Sequence, residues 1–147
     1  MQPDKSPKNC PFCKIREGKL PASLLHEDEL VLVIVDLSPI NEGHLLIIPK
    51  IHASGMADVD PDTLAHMMRL AQRMNAALRK SSYKCEGVNL FLADGEAAGQ
   101  EVFHCHLHVY PRFKGDGFGF RSVKGKHFVQ AERARMDAVA QELQGLL

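Results

Sequence analysis

Apolar and polar positions along the chain fall into strand-like and helix-like spacings that predict separate elements. Residues 22–26 and 30–35 read as two short strands around the charged turn Glu27-Asp28-Glu29, which predicts a hairpin. The segment from Asp36 to Gly43 carries Pro, Asn and Gly and leads into the apolar run 45–48, a loop feeding a third strand. Asp60-Pro61 has the form of an N-cap followed by the first helical residue. Leu64, Met67, Met68, Ala71, Met74 and Leu78 then recur at helical spacing, predicting a helix over 61–80. Residues 87–93 and 103–110 read as two further strands joined by the Gly- and Ala-rich loop 94–100, and a second helix is expected over 129–144. Strands interspersed with two sizeable helices predict an α+β fold with a mainly antiparallel sheet.

The chain has 147 residues. That suits one domain burying roughly 68–70% of its unfolded surface, with 1–8 expected to be flexible and 112–147 a C-terminal loop and helix. No internal repeat or long low-complexity linker divides it. Lys plus Arg and Asp plus Glu both number 18, so no global charge excess points to nucleic acid or an anionic membrane. A phosphate site must be built locally. The polar, proline-broken start and the lack of a long apolar run make export and membrane insertion unexpected. Cys85 and Cys105 lie in apolar stretches while Cys10 and Cys13 form a C-x-x-C pair. This pattern reads as a reducing, cytoplasmic setting and a metal.

His104, His106 and His108 alternate with Phe103, Cys105, Leu107 and Val109. On a strand, all three imidazoles face one side, spaced roughly 6.5–7 Å apart, too far for a direct ring-to-ring bond but suited to lining up along one substrate. A neutral imidazole is a nucleophile near pH 7 and forms a phosphoramidate bond that water later breaks. A three-His metal site is the rival reading, and the motif alone leaves both open. The turn at Gly99-Gln100 is placed to aim backbone N–H groups and the Gln100 amide at phosphate oxygens. Cys10-Pro11-Phe12-Cys13 has zinc-knuckle spacing, with a redox dithiol and idle thiols as alternatives. His26, His66 and His127 show no partner pattern and read as surface or local structural residues.

The run from Ala98 through His104-Cys105-His106-Leu107-His108 to Arg112 resembles the histidine-triad family of nucleotide hydrolases and transferases. The resemblance extends through Asp36-Leu37-Ser38-Pro39, Gly43-His44, Ile48-Pro49-Lys50 with His52, and 87–89, covering 9–113. It implies a HIT-like fold: a five-stranded, mainly antiparallel sheet with one long central helix and a C-terminal helix, continued across a homodimer. It implies that His106 takes the nucleoside monophosphate as a covalent nucleotidyl-histidine while His108 contacts the phosphate and helps the leaving group depart. Gly99 and Gln100 are implied to hold α-phosphate oxygens, Asp36 to accept ribose hydroxyls, and Ile34 and Leu37 to wall a slot for the base. His44 and Asn89 match substrate-side positions, Asn89 either reaching substrate or bracing its strand. At Ala93 the chain departs from branches that carry Asn or Gln.

In zinc-bearing members the knuckle is completed by the residues that match His52 and His104, which implies structural zinc on Cys10, Cys13, His52 and His104 and no catalytic cofactor. The expected substrates are purine nucleoside phosphoramidates, adenylates or dinucleoside polyphosphates. The alternative is a nucleotide-binding regulatory or scaffold protein with incidental turnover.

Overall fold

The computed structural model describes residues 6–119 and 131–147. The chain divides into two compact units, 1–116 and 117–147. The first begins with a short helix, α1 (Pro11–Arg16), followed by strands β1 (Leu24–Glu27), β2 (Val31–Val35) and β3 (Leu45–Pro49). Helix α2 (Pro61–Lys80), strand β4 (Gly87–Phe91) and strand β5 (Leu107–Arg112) complete it. The second unit contains helix α3 (Arg133–Gln144). The mixed α+β class and the antiparallel five-stranded sheet are as expected, and the strand order is β1-β2-β3-β5-β4.

The long helix begins where expected because Asp60 caps it: one carboxylate oxygen accepts from the backbone N–H groups of Asp62 and Thr63 at 3.0 and 3.1 Å. Its buried face, Met67, Leu70, Ala71, Met74 and Leu78, packs on Val31 and Val33 of β2, Leu45 and Ile47 of β3, and Leu107 and Val109 of β5. Met68, on the same expected stripe, instead stands half exposed. The opposite sheet face carries Ile34, Leu46 and Ile48, which cluster with Cys10, Phe12 and Cys13 of the knuckle. Both faces of β2 and β3 are therefore covered, which accounts for runs that are apolar throughout instead of alternating.

Several boundaries differ from expectation. Helix α1 was not expected; Pro11 starts it and the Cys10 thiol accepts from the Cys13 N–H. Strand β1 starts at Leu24, with a register shift between Leu24 and His26, and β4 stops at Phe91. Strand β5 starts only at Leu107, because residues 101–106 make a bent approach to the sheet and are not laddered into it. Of the second expected helix, 133–144 is observed, and 129–130 lie outside the described residues, as do 1–5, His127 and most of the 115–126 segment.

His26 and His66 are structural, as expected, but they have a partner that spacing did not reveal. Both Nε2 atoms bond Asp28 Oδ2, at 3.0 and 2.7 Å, while Oδ1 accepts from the Leu30 and Val31 N–H groups. The hairpin turn is thereby tied to α2. Burial works to raise the Asp28 pKa, but hydrogen bonds from His66, His26 and the two amides outweigh it and hold the carboxyl well below its usual range. A depressed carboxylate stabilises the fold above its unfolded pKa, about 3.9, and that contribution fades as pH falls through the folded value. Asp28→Asn is therefore expected to cost roughly 1–2 kcal/mol at pH 7, with the gap from the parent narrowing below about pH 4. Urea unfolding between pH 2 and 8 measures it, and a gap independent of pH contradicts the assignment.

Candidate active site and metal centre

The sheet order brings the chemistry-bearing residues together. The chain leaves β3, crosses through α2 to the edge strand β4, and returns so that β5 inserts between β3 and β4. Leu45 pairs with Val109 and Leu46 with His108, so the register carries His44, just before β3, to a place opposite Tyr110 and diagonally beside His108. Gly43 makes that delivery possible. It has φ +93°, and a Cβ there would sit 3.0 Å from Leu78 Cδ2. Leu107 and Val109 face α2, so His108 and Tyr110 face the knuckle side.

The three triad histidines are not aligned as equivalents. The His104 ring turns into the interior: Nε2 donates to the Pro49 carbonyl at 2.7 Å, and Nδ1 lies 3.3 Å from Cys10 Sγ and 3.7 Å from Cys13 Sγ. His106 Nδ1 bonds the His104 carbonyl oxygen at 2.7 Å. His108 Nδ1 lies 2.9 Å from His44 Nε2, so a direct imidazole–imidazole bond does exist, between residues of different strands. The His106 and His108 rings meet edge-on with centroids 4.8 Å apart, closer than the even strand spacing expected. The physical reason is that His106 precedes β5, where the backbone is bent.

The hydrogen bonds define the tautomers. A carbonyl only accepts, so His106 Nδ1 carries the proton and Nε2 presents a bare lone pair. His44 Nδ1 accepts from the Ile40 N–H at 3.3 Å, which places the His44 proton on Nε2. That proton points at His108 Nδ1, with Asp36 Oδ2 also 3.2 Å away, so His108 is protonated on its own Nε2. The site thus sets a nucleophilic nitrogen beside an N–H donor. Burial lowers the pKa of His106 and of His44, and burial together with His106 and His44 brings His108 down to about 4. The free site holds neutral rings at pH 7.

Other expected substrate residues have partners within the protein. Asp36 Oδ1 accepts from the Ser38 N–H at 2.8 Å and Oδ2 faces His44, leaving acceptor capacity on both oxygens. The Gln100 side chain is buried and committed to the backbone: Oε1 accepts from Gly95 N–H at 2.8 Å, and Nε2 donates to the Ser54 and Val102 carbonyls. It therefore shapes the loop and does not extend toward a ligand, because the bent 94–102 segment needs an internal partner for its backbone. Gly99, with φ +82° and open space where a Cβ would stand, keeps the loop surface clear. Asn89 Oδ1 accepts from Arg112, the strand-bracing option; Arg112 in turn clamps Asp116 with two bonds. Ile34 is buried against the knuckle and Leu37 is 98% exposed, so the two do not wall a common slot. Strand alternation turns Ile34 onto the covered sheet face, while Leu37 belongs to the exposed turn. Ala93 is buried, with no polar group at that position.

Three residues at the site were not foreseen. Phe12 packs edge-on against His106, centroids 5.1 Å apart; Tyr110 does the same to His44 at 4.5 Å; and the Phe91 ring is 5.9 Å from that of His108. Phe12 sits inside the C-x-x-C, which was its only available signal.

Cys10, Cys13, His52 and His104 offer four ligand atoms to a common point, with His52 Nδ1 3.3 Å from Cys13 Sγ. A tetrahedral zinc with these ligands has S···N edges of about 3.5 Å, so the spacing and the donor set fit. The His104 Nε2–H bond to a backbone carbonyl is the outer support that metal-bound histidines usually have. Burial pushes the Cys13 thiol up to about 11, aided by its contact with Cys10, and a bound cation is what makes such a buried thiol a thiolate.

The HIT domain model matches residues 17–115. The chain belongs to the HIT domain family. A HIT-like protein of Borreliella burgdorferi is 42% identical over 114 residues, 77% of this chain and 82% of its own. The adenylylsulfatase HINT3 of Arabidopsis thaliana is 38% identical over 132 residues, 90% of this chain and 66% of its own. A zinc-bound histidine-triad protein of Mycobacterium smegmatis superposes with a TM-score of 0.73 at 37% identity, covering 97% of this chain and all of that one. The zinc-bound relative and the side-chain cluster agree with the zinc-knuckle branch, and the adenylylsulfatase relative supports a hydrolase.

Cys13→Ser is expected to empty the metal centre and lower stability by at least about 3 kcal/mol, measured by elemental analysis and unfolding. Metal retained in Cys13→Ser but lost in His108→Ala favours instead a metal held by the triad.

Proposed function

We propose that this HIT-family protein hydrolyses nucleotides at the α-phosphate through a covalent nucleotidyl-histidine. The observation that carries the reading is the His106 Nδ1–H bond to the His104 carbonyl, which leaves Nε2 unprotonated beside His108. In the first step His106 Nε2 bonds to the α-phosphorus, the bond from phosphorus to the leaving group breaks, and the departing atom takes the proton from His108 Nε2. In the second, water attacks phosphorus, the phosphorus–nitrogen bond breaks, His108 recovers a proton from the water, and a nucleoside monophosphate leaves. Burial alone disfavours a charged His108, but the phosphate of the substrate and Asp36 Oδ2, 3.9 Å from His108 Nδ1, favour it once a nucleotide is bound.

Phosphate oxygens are met at the Gly99 loop, whose backbone approaches without side-chain obstruction and whose shape Gln100 maintains. Asp36 retains acceptor capacity for ribose hydroxyls, and the exposed Leu37 is the apolar side chain offered to the base. Asn89 acts from its place on Arg112. The centre at Cys10, Cys13, His52 and His104 holds zinc, which when bound braces the segment that enters β5. Purine phosphoramidates, adenylates and dinucleoside polyphosphates are the proposed substrates, and the adenylylsulfatase relative supports an adenylate.

The proposed assembly is a homodimer. β4 is an edge strand, and beside it lies a groove of about 580 Å³ lined by Met68, Arg69, Gln72, Val88 and Leu90. A second copy of β4 continues the sheet and covers the half-exposed Met68 and Leu90. Leu90→Lys is expected to yield a monomer by sedimentation; an unchanged mass overturns this arrangement.

Incubation with adenosine 5′-phosphoramidate tests the activity. AMP release and an acid-labile nucleotidyl adduct are expected, with His106→Ala losing at least about 10³-fold in rate. Substrate that binds and is recovered intact supports the scaffold reading instead. Burial holds the nucleophile His106 below the ordinary 6.5, and it must be neutral to attack phosphorus. The acid limb of kcat/KM is therefore expected below pH 6.5, activity being lost only as the pH falls past that lowered value.

A further inference from the structure

We propose that Asn41 is a positioning residue for nucleoside recognition: held by Asp116, it keeps the loop that offers Asp36 to the ribose at a set reach from His108. The inference deepens the hydrolase reading and rests on it for the identity of the ligand.

The loop between β2 and β3, residues 36–44, closes on itself. The Asp36 N–H donates to the His44 carbonyl at 2.9 Å, the His44 N–H to the Asn41 carbonyl at 3.1 Å, and the Ser38 N–H to Asp36 Oδ1 at 2.8 Å. Such bonds give the loop a shape but do not set its place on the sheet. His44 ties its end to His108. Asn41 ties it further out: the amide nitrogen donates to the Pro111 carbonyl at 2.8 Å and to Asp116 Oδ2 at 2.9 Å. Neither acceptor has a proton to give, so the orientation of the Asn41 amide is decided and both of its N–H groups are used. Pro111 belongs to β5 with His108, so both ties refer the loop to one strand.

Asp116 is a fixed acceptor. Its side chain is 3% exposed, and Arg112 grips both oxygens, Oδ2 through Nε at 2.6 Å and Oδ1 through Nη2 at 2.8 Å. A two-point guanidinium pair sets the angle of the carboxylate as well as balancing its charge. Arg112 in turn bonds Asn89 of the edge strand β4, so the carboxylate is referred to the sheet and does not travel with the loop. Gly43 brings the same loop against the same strand, since a Cβ there would stand 3.6 Å from Pro111 Cγ.

The consequence falls on Asp36. Its Oδ2 lies 3.2 Å from His44 Nε2 and 3.9 Å from His108 Nδ1. A ribose acceptor serves only while its distance from the phosphate-side ring matches the span of one nucleotide. Hydrogen bonds reach about 2.7–3.2 Å, so a loop displaced by roughly 1 Å forfeits the ribose contact while the phosphate contacts on β5 persist. A purely structural Asn41 would change how much protein is folded and leave the preference among nucleotides as it was.

The test compares the affinity of AMP with that of 2′,3′-dideoxy-AMP, by calorimetry on the full chain, for the parent, Asn41→Ala, Asp116→Asn and the double variant, with circular dichroism reporting the folded fraction. The parent is expected to bind AMP about 10- to 100-fold more tightly than the dideoxynucleotide, the worth of hydrogen bonds to a carboxylate. Asn41→Ala is expected to bring that ratio to within about threefold of unity, with dideoxynucleotide affinity held within about threefold. Asp116→Asn loses part of the preference, and the double variant loses no more than Asn41→Ala, because both substitutions act on one bond. Where Asn41→Ala does not fold, Asp116→Asn decides. A preference that persists in the folded variants, or effects of the two substitutions that multiply independently, overturn the inference. A parent that binds AMP with no preference for its hydroxyls overturns it as well. A parent that binds neither nucleotide overturns the hydrolase reading and this inference with it. A preference abolished by Asn41→Ala in a protein that turns over no phosphoramidate supports the positioning role while overturning the hydrolase reading.

Discussion

A single hydrogen bond, from His106 Nδ1–H to the His104 carbonyl, determines what the rest of the site is able to do. An imidazole in water exchanges its proton between two nitrogens, and only one of the two neutral forms offers Nε2 as a nucleophile. A carbonyl removes that ambiguity because it has no proton to give. The remaining rings follow the same logic by a different route: the Ile40 N–H fills His44 Nδ1, His44 Nε2–H fills His108 Nδ1, and the series ends on a donor. Two chains of hydrogen bonds, one starting from a carbonyl and the other from an amide, deliver opposite protonation patterns to adjacent rings.

Burial is what makes these patterns consequential. Among His44, His104, His106 and His108, desolvation is the largest cause of the lowered pKa, and for all but His106 a neighbouring ring adds to it. A solvated group of four imidazoles would titrate in the physiological range and lose its nucleophile to protonation. Enclosed between the sheet and the knuckle, the rings stay neutral until an anion enters. In the proposed mechanism a bound nucleotide supplies the negative charge that permits a proton to reside at His108.

The sequence pattern was most informative where local chemistry decides the structure. Asp60-Pro61 and the apolar spacing after it located α2 from its first residue to its last, because capping and amphipathicity are local. The metal-ligand set was legible only through the resemblance, since His52 and His104 lie far from the knuckle in sequence and meet it through the fold. The start of β5 was misread because alternation of His with apolar residues continues through 103–106, while the backbone there bends to serve the metal cluster and the 94–102 loop. Gln100 and Asn89 show a related limit. A polar side chain in a motif has the chemistry to meet substrate, but whether it points outward depends on which backbone groups nearby lack partners, and no spacing records that.

The topology explains why a metal-ligand cluster belongs at this position. Inserting β5 between β3 and β4 places His108 inside the sheet, where neighbours on both sides hold it. The chain must enter that slot from the 94–106 loop, whose backbone cannot pair until Leu107 and which would otherwise be the least constrained part of the site. His106 is the last residue before pairing begins, so the ladder that secures His108 does not secure the proposed nucleophile. The cluster of Cys10, Cys13, His52 and His104 draws that entry segment against α1, and the His104 ring also bonds the Pro49 carbonyl at the end of β3. A hydrophobic contact would hold the segment down, but only directional bonds on both sides of the His104–Cys105 peptide fix which way its carbonyl points.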